Sequence, residues 1–297
     1  MQNKLESLIQ NIPVNILKQA SFELTERYRA QQKPYLTRYE HYLAYLITRM
    51  PATLAVITQV LKTIPTTQIE SFLDLGAGPG TGYLAAHKIF PTIKQATLIE
   101  TDSEFIKLGQ QLIDNPVDWQ KKHLPCELAA HDLVLMSYSL NEMPDPEAIV
   151  TQAFHAAKKI LVLIEPGTPE GYQRIIKMRT HLLNMGAHII APCPNSLPCP
   201  MQGQDWCHFP ARVQRSKLHK QLKGGELGYE DEKFSYLIVS REKHSPADAR
   251  IIAKPELHKG WVELRLCTHG HIEQKKVSAK DKLIYKKARK ADWGDEF

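Results

Sequence analysis

Four cysteines form the most chemically informative group of residues in this chain. They are spaced Cys193-x5-Cys199-x7-Cys207-x59-Cys267, and three of them fall within fifteen residues. The segment that holds these three, A-P-C-P-N-S-L-P-C-P-M-Q-G-Q-D-W-C-H-F, is rich in proline. Proline interrupts regular hydrogen bonding, and thiolates are soft metal ligands. The segment therefore indicates a set of metal-binding cysteines rather than a helix or strand packed in the core.

A glycine-rich loop is the second group. In D-L-G-A-G-P-G-T-G, Asp74 ends a predicted buried strand, and Gly76, Gly78 and Gly80 form the turn into a helix. Glycine is needed where the backbone turns tightly and approaches a ligand without a Cβ in the way. A phosphate-binding P-loop would need Lys and Ser/Thr after its last glycine, and a dinucleotide loop would place its third glycine at Thr81. The D-x-G-x-G-x-G spacing instead resembles that of class I methyltransferases, which bind S-adenosylmethionine (SAM).

An acidic residue supports SAM as the ligand. Glu100 ends the next predicted strand, where a carboxylate can hold both ribose hydroxyls. We predict that SAM is bound by Asp74, Gly76, Ala77, Gly78, Gly80, Glu100, Thr101, Ser137 and Tyr138.

Catalytic residues are not recognisable. The segment after strand 132–138 reads S-Y-S-L-N-E-M-P-D-P, without the Asn/Asp-Pro-Pro-aromatic motif of amino-methylating enzymes that act on nucleic acids. A cytosine C5 enzyme needs a thiolate after that strand, whereas Cys126 precedes it and is interpreted as a structural thiol. Methyl transfer by in-line displacement depends mainly on positioning of the two reactants. The absence of a recognisable catalytic base therefore argues neither for nor against methyltransferase activity.

Zinc and an iron–sulfur cluster are both compatible with the cysteines. The paired C-x2-C knuckles of zinc ribbons are absent, although His208 could join a tetrahedral zinc site. Loops of five and seven residues suit a larger group, and four thiolates hold a [4Fe–4S] cluster with no fifth ligand. A radical-SAM centre is excluded, because it requires C-x3-C-x2-C and an open iron. Zinc remains the alternative to the cluster.

Length and composition set the broad class. A chain of 297 residues and 33.8 kDa suits one large domain with a small appended one. We expect no membrane span, because no run of about 18 apolar residues occurs. The N-terminus has neither a signal-peptide core nor an Arg-rich presequence, so a cytoplasmic protein with reduced cysteines is predicted. We also expect a monomer.

The net charge of +6 resides entirely in the cysteine-bearing part. Residues 1–200 carry 18 basic and 18 acidic side chains, whereas residues 201–297 carry 20 and 14. Two basic stripes lie there, the first within residues 212–223 and the second within residues 280–290. Both would suit a phosphate backbone, and together they favour RNA binding over a charged surface that only contacts solvent. The predicted RNA-binding residues are Arg212, Arg215, Lys217, Lys220, Lys286, Lys287 and Arg289.

The pattern of elements predicts an α/β protein. Helical periodicity extends to about residue 68, and strands then alternate with helices, which favours a doubly wound, Rossmann-like SAM methyltransferase fold. We predict three regions: a helical region 1–68, a SAM-binding domain 69–245 with a cysteine-rich and basic insertion at 190–223, and a small basic β-rich domain 246–297.

These motifs together resemble a known family. The sequence is similar to the methyltransferase-like proteins associated with the mitochondrial small ribosomal subunit, in their bacterial branch. The resemblance is carried between about residues 71 and 295 by D-L-G-A-G-P-G-T-G, L-I-E-P-G-T-P-E-G-Y, A-P-C-P-N-S-L-P-C-P, D-W-C-H-F, Y-E-D-E-K-F-S-Y and W-G-D.

The resemblance implies a [4Fe–4S] cluster on the four cysteines and SAM at the glycine loop. It also implies action on the small ribosomal subunit and its RNA, either by methylation or as an assembly or translation factor with structural cofactors.

Overall fold

The computed structural model describes residues 2–30, 32–65, 67–201 and 205–297. The chain forms two compact units. The first unit comprises Met1–Lys62, Gln68–His123 and Ala211–Glu232, and the second comprises Thr63–Thr67, Leu124–Pro210 and Lys233–Phe297. Residues 202–204, inside the predicted 190–223 insertion, lie outside the described residues.

The helices, numbered along the chain, are α1 (Gln2–Ile9), α2 (Val14–Arg29), α3 (Tyr39–Thr48), α4 (Met50–Leu61), α5 (Thr81–Ile89), α6 (Ser103–Leu112), α7 (Pro146–Ala156), α8 (Pro169–Asn184), α9 (Lys217–Lys223) and α10 (Lys282–Ala288).

The strands are β1 (Ser71–Leu75), β2 (Gln95–Glu100), β3 (Asp118–Lys121), β4 (His131–Ser137), β5 (Ala157–Pro166), β6 (His188–Ala191), β7 (Phe209–Gln214), β8 (Tyr229–Ser240), β9 (Arg250–Ile251), β10 (Glu256–His258), β11 (Trp261–Cys267) and β12 (Ile272–Ser278).

The first unit contains three parallel strands in the order β3-β2-β1. All five residues of β1 are buried, as expected for a strand covered on both faces. Helices α2, α3 and α6 share a leucine-rich core with α9, in which Leu17, Leu46, Leu108 and Leu222 are buried. This core holds the helices that follow β1 and β2, and therefore the loops that precede those helices.

The second unit combines parallel and antiparallel strands. β4 runs parallel to β5, whereas β8 is antiparallel to β5 and β6 is antiparallel to β8. Asp145 and Thr168 cap α7 and α8 with their side chains, and each helix begins at a proline, where a missing N–H costs nothing. The predicted α/β Rossmann-like fold is confirmed, with a mixed sheet.

A small antiparallel sheet closes the chain. Its strands are ordered β10-β11-β12, and β9 also pairs with β11. Val262, Leu264 and Leu266 alternate along β11 and pack with Ile251 and the helix residue Ala288. Cys267 lies on the opposite face of β11 from these leucines, because successive side chains of a strand point to opposite sides.

In the described ranges, no single helix is long and apolar enough to cross a membrane. The pair α3 and α4, bent by 43° at its break, reaches that length and composition only together. The three predicted regions remain predictions.

Candidate functional site

The glycine loop joins β1 to α5 in the first unit. Gly76, Gly78 and Gly80 all have positive φ angles, of 79°, 53° and 81°, a region that favours glycine. The N–H groups of Gly76 and Ala77 both donate to the carbonyl of Ile99, each over 3.0 Å. These bonds fold the loop over the end of β2.

Asp74 is a buried carboxylate at the end of β1. Its side chain is 1% exposed, and neither carboxylate oxygen has a hydrogen-bond partner among the described residues. Burial, and then the charge of Glu100, raise the pKa of Asp74 to about 8. A buried acid without a donor is costly unless something else donates to it. Asp74 therefore fits a site in which a bound molecule supplies an ammonium or hydroxyl donor.

Glu100 organises the turn after β2. One carboxylate oxygen accepts the N–H of Gly78 at 2.7 Å, and the other accepts the N–H groups of Thr101 and Asp102 at 2.6 and 2.9 Å. The predicted residues Gly78, Glu100 and Thr101 are thus joined by direct hydrogen bonds. The hydroxyl of Thr101 donates to this second oxygen as well, at 3.2 Å, so the open acceptor position of Glu100 is on the oxygen that faces Gly78.

The space around the loop is shaped by residues that the sequence reasoning missed. A Cβ on Gly78 would meet nothing within 4 Å, so this backbone faces open space. A Cβ on Gly80 would meet Ile113 at 2.5 Å and Trp119 at 3.3 Å. Gly109 is equally tight against Trp119, at 2.5 Å. A glycine inside a predicted helix, such as Gly109, was the available signal for this close packing.

The remaining predicted SAM ligands belong to the second unit. Ser137 ends β4, and Tyr138 follows it with a φ of 57°. Tyr138 N–H donates to the carbonyl of Ile164 at 2.8 Å, which holds this residue at the carboxyl end of β4 and β5. A left-handed conformation in a non-glycine residue is strained, and such strain clusters at functional sites.

The four predicted cysteine ligands come together in the second unit. Cys193 follows β6, Cys207 precedes β7, Cys267 ends β11 and Cys199 lies in the proline-rich loop; all four are half-buried and free of disulfides. Burial and the neighbouring thiols raise the pKa of Cys207 well above its usual range and that of Cys267 to about 12. Deprotonated thiols at this place therefore need a cation to neutralise them.

A buried arginine fixes the loop between Cys193 and Cys199. Arg179, 4% exposed, donates from one nitrogen to the carbonyls of Asn195 and Leu197, both at 2.8 Å. The side-chain amide of Asn195 donates to the carbonyl of Thr268 at 2.6 Å. These bonds tie the proline-rich loop to the residue after Cys267.

Three further side chains fix the flanks of the cysteine segment. Arg250 donates to the carbonyl of Pro192 at 2.9 Å, Ser235 donates to that of Cys207 at 2.8 Å, and the indole of Trp206 donates to that of Gly167 at 2.9 Å. His208 stacks on Trp206 with ring centroids 5.3 Å apart, and its Nδ1 hydrogen-bonds the carbonyl of Trp206. The described parts of the segment are thus held by hydrogen bonds of the kind that orient metal ligands.

The spacing of the thiols bears on the kind of group they hold. One zinc ion, with Zn–S bonds of about 2.3 Å, would bring its thiolates to about 3.8 Å from one another. Within the described ranges, the one group of three or more such ligands with donor atoms all within 4.8 Å is Glu256, His258 and Glu263. The described cysteines do not belong to that group, and their four thiols are compatible with zinc and with a cluster of several metal atoms.

The first basic stripe is largely neutralised by acids. Arg212, on β7, makes two bonds to Asp231 at 2.7 and 2.9 Å, and Arg215 donates to Glu230 at 2.6 Å. Lys217 and Lys220 lie on the short helix α9. The second stripe, Lys286, Lys287 and Arg289, lies exposed on and just after α10.

A protein-family comparison identifies the chain. Residues 39–297 match the family described as mitochondrial small ribosomal subunit Rsm22. The chain belongs to the Rsm22 family. The predicted family resemblance is therefore confirmed.

Curated Rsm22 relatives are longer than this chain. The ribosome assembly protein METTL17, mitochondrial, of Homo sapiens is 25% identical over 287 residues, covering 85% of this chain and 61% of METTL17. The Rsm22-cox11 tandem protein 2, mitochondrial, of Schizosaccharomyces pombe is 22% identical over 363 residues, covering 100% of this chain and 48% of that protein. The chain thus spans about half to three fifths of these relatives.

Solved structures with a similar backbone include a SAM-dependent methyltransferase from Aquifex aeolicus, 15% identical with a TM-score of 0.43, covering 66% of this chain and 95% of that one. Magnesium protoporphyrin IX methyltransferase from Synechocystis, with bound SAH, is 11% identical with a TM-score of 0.41, covering 73% and 94%.

The prediction of a cytoplasmic location is wrong. The Rsm22 family and the two curated relatives are described as mitochondrial. Targeting signals are separate from the folded domain, so the composition of the first helix was no guide to location.

Proposed function

We propose that this protein is a mitochondrial assembly factor of the small ribosomal subunit that binds SAM and a [4Fe–4S] cluster and contacts ribosomal RNA. The observation that carries the proposal is that a member of the Rsm22 family contains two candidate binding sites. One is the glycine loop with its buried Asp74, and the other is the group of four cysteines whose loop is held by Arg179.

SAM is supported by the geometry of the first unit. Asp74 offers a buried acceptor, Gly78 opens backbone space, and Glu100 holds the loop while keeping acceptor capacity. When bound, SAM carries a methyl group on a positively charged sulfonium. In the proposed site, Asp74 and Glu100 provide negative charge and hydrogen-bond acceptors. Ser137 and Tyr138, in the second unit, remain predictions from the sequence.

The cluster is supported by the chemistry of the donor set. Four half-buried thiols converge, and their loops are held by Arg179 and Arg250. In the proposed site, Cys193, Cys199, Cys207 and Cys267 each contribute one thiolate, which satisfies all four ligand positions of a [4Fe–4S] cluster.

Family membership and the exposed positive charge of α10 both support the small ribosomal subunit and its RNA as the partner. METTL17 is named as a ribosome assembly protein, and the family is described by the mitochondrial small ribosomal subunit. The exposed lysines of α10 fit the phosphate backbone of RNA. In our proposal this surface binds ribosomal RNA, with Lys217 and Lys220 as further contacts.

Methylation of ribosomal RNA is the second candidate function. It is favoured by the intact glycine loop and by strained Tyr138 after β4. The test is transfer of a labelled methyl group from SAM to purified small subunits. RNA labelling by the wild-type protein that is lost in Asp74→Ala would establish methyltransferase activity. Subunits that the protein binds without labelling them would support the assembly role only.

The assembly-factor proposal is tested by anaerobic purification with iron and sulfide quantified. We expect about four irons per chain, lost in Cys199→Ser and kept in Cys126→Ser, because Cys126 lies outside the quartet. Stoichiometric zinc without iron, or no metal at all, would contradict the cluster. Binding of SAM and of small-subunit RNA is measured on the same preparation.

A further inference from the structure

The hydroxyl of Tyr172 contacts one of the four cysteines directly. Tyr172 lies in the first turn of α8 and is 4% exposed. Its oxygen is 3.3 Å from the Sγ of Cys199, a hydrogen-bonding distance for sulfur. A buried tyrosine hydroxyl generally has a hydrogen-bond partner, and here that partner is the thiol.

The direction of this hydrogen bond follows from the chemistry of the thiol. A cysteine that ligates a metal is a thiolate and has no proton to donate. Cys199 can then only accept, so the Tyr172 O–H must point toward its sulfur. The hydroxyl thus places a positive hydrogen against the negative charge of the ligand.

Helix α8 holds this hydroxyl rigidly. Thr168 caps the helix by accepting the N–H of Gly171, and a Cβ on Gly171 would stand 2.0 Å from the carbonyl oxygen of Pro166. The start of α8 is therefore seated closely on the end of β5. Arg179 donates to the carbonyls of Asn195 and Leu197, in the loop that leads to Cys199. It lies seven residues after Tyr172 and therefore on the same face of α8.

We propose that Tyr172 raises the reduction potential of the cluster through its hydrogen bond to Cys199. The inference rests on the proposed cluster. Reduction adds one electron from an external donor, dithionite in the test below, and increases the negative charge shared by the cluster and its thiolates. A hydrogen-bond donor stabilises the more negative state, and hydrogen bonds to ligand sulfurs are a recognised determinant of cluster potential.

The test is a redox titration of the purified holoprotein followed by electron paramagnetic resonance. Tyr172→Phe removes only the hydroxyl, and we expect its midpoint potential to be more negative. An effect of about tenfold on the reduction equilibrium would appear as about 59 mV for this one-electron couple. The matched control is Tyr83→Phe, because Tyr83 is also 4% exposed but belongs to the first unit.

Iron content separates failure of this inference from failure of the proposed function. Wild-type protein without iron would overturn the cluster itself. Tyr172→Phe with a full complement of iron and an unchanged potential would overturn the role of Tyr172. If Tyr172→Phe does not assemble, wild-type protein provides the readout: an exchangeable proton coupled to the cluster, lost in D2O, is expected from the hydroxyl, and its absence would contradict the hydrogen bond.

Discussion

Asp74 shows how one buried residue links a ligand site to stability. Its carboxyl has a pKa raised from 3.8 to about 8, first by burial and then by Glu100. The folded state therefore binds this proton more tightly than the unfolded state. Stability from this group is fully present below about pH 4 and is lost as the pH rises toward 8.

We predict that Asp74→Asn stabilises the SAM-free protein at pH 8, because it removes a charge that is buried without a donor. The gain is on the order of a few kcal/mol at pH 8 and vanishes near pH 4. Urea unfolding across this pH range measures it. The same variant should bind SAM more weakly by calorimetry; a variant that is stabilised equally at all pH values would disprove the role of ionisation.

At the scale of elements, a half-buried carboxylate on β8 joins that strand to α9 and to the residue that follows β7. Glu230 on β8 accepts from Arg215 at 2.6 Å and from Lys223 at 3.2 Å, and buried His219 lies 3.2 Å away. Burial acts to raise the pKa of Glu230, but the bonds from His219 and Arg215 and the charge of Lys223 outweigh it and hold the pKa below its usual range. This stabilisation is present above pH 4.5 and is lost as the pH falls further.

We predict that Glu230→Gln lowers the free energy of unfolding by about 3 kcal/mol at pH 7, because it leaves Arg215 and Lys223 without their shared anion. Asp231→Asn is the control on the next residue. Its partner Arg212 has a side chain 56% exposed, so this pair should contribute less than about 1 kcal/mol. Equal losses in the two variants would contradict the difference in burial.

The same network separates the two basic stripes as candidates for RNA. Reversing the charge of Arg212 or Arg215 would also break its ion pair with Asp231 or Glu230, whereas Lys286 and Lys287 are exposed on α10, with the Lys287 ammonium 4.9 Å from the centre of the Phe297 ring. The α10 lysines are therefore the better probes of binding.

We predict that Lys286→Glu with Lys287→Glu weakens binding to small-subunit RNA and lowers the slope of log affinity against log salt by about two, one for each lost phosphate contact. Filter binding at several salt concentrations measures both quantities. Lys62→Glu with Lys122→Glu changes the net charge equally at exposed positions outside both stripes. Equal weakening in both double variants would indicate a general charge effect rather than a site.

At the scale of the whole molecule, the cysteines connect parts of the second unit that are distant in sequence. Cys193, Cys199 and Cys207 flank the end of β6 and the start of β7, whereas Cys267 belongs to the small antiparallel sheet. A bound metal group would cross-link these segments as a disulfide does, by restricting the unfolded and partly opened states.

We predict that Cys199→Ser, once metal-free, exchanges amide hydrogens faster across residues 193–207 and along β11, where the cross-link is lost. Exchange in β1 and β2 of the first unit should be unchanged. Mass-spectrometric hydrogen exchange on wild-type and variant protein measures both regions. Uniform acceleration throughout the chain would mean that the cysteines support the global fold instead.

The sequence by itself predicted the Rossmann-like class, which is confirmed, the positive-φ turn of the glycine loop, and the four cysteines that the second unit brings together. These features are local: the Asp74–Gly80 spacing lies within one turn, and strand–helix alternation is visible in hydrophobic periodicity. Even the small sheet could be anticipated, because alternation along β11 spans only seven residues.

Tertiary structure alone decided what surrounds these motifs. The clamp from Asn195 to Thr268 joins residues 73 apart, and Tyr172 reaches Cys199 across 27. The same holds for the basic stripes, since Arg212 looked free in the sequence but is paired with Asp231 through strand contact. Spacing along the chain indicates which residues can bind a ligand. Which charges remain exposed and which donors reach that ligand depends on how distant segments pack, and this is visible only in the tertiary structure.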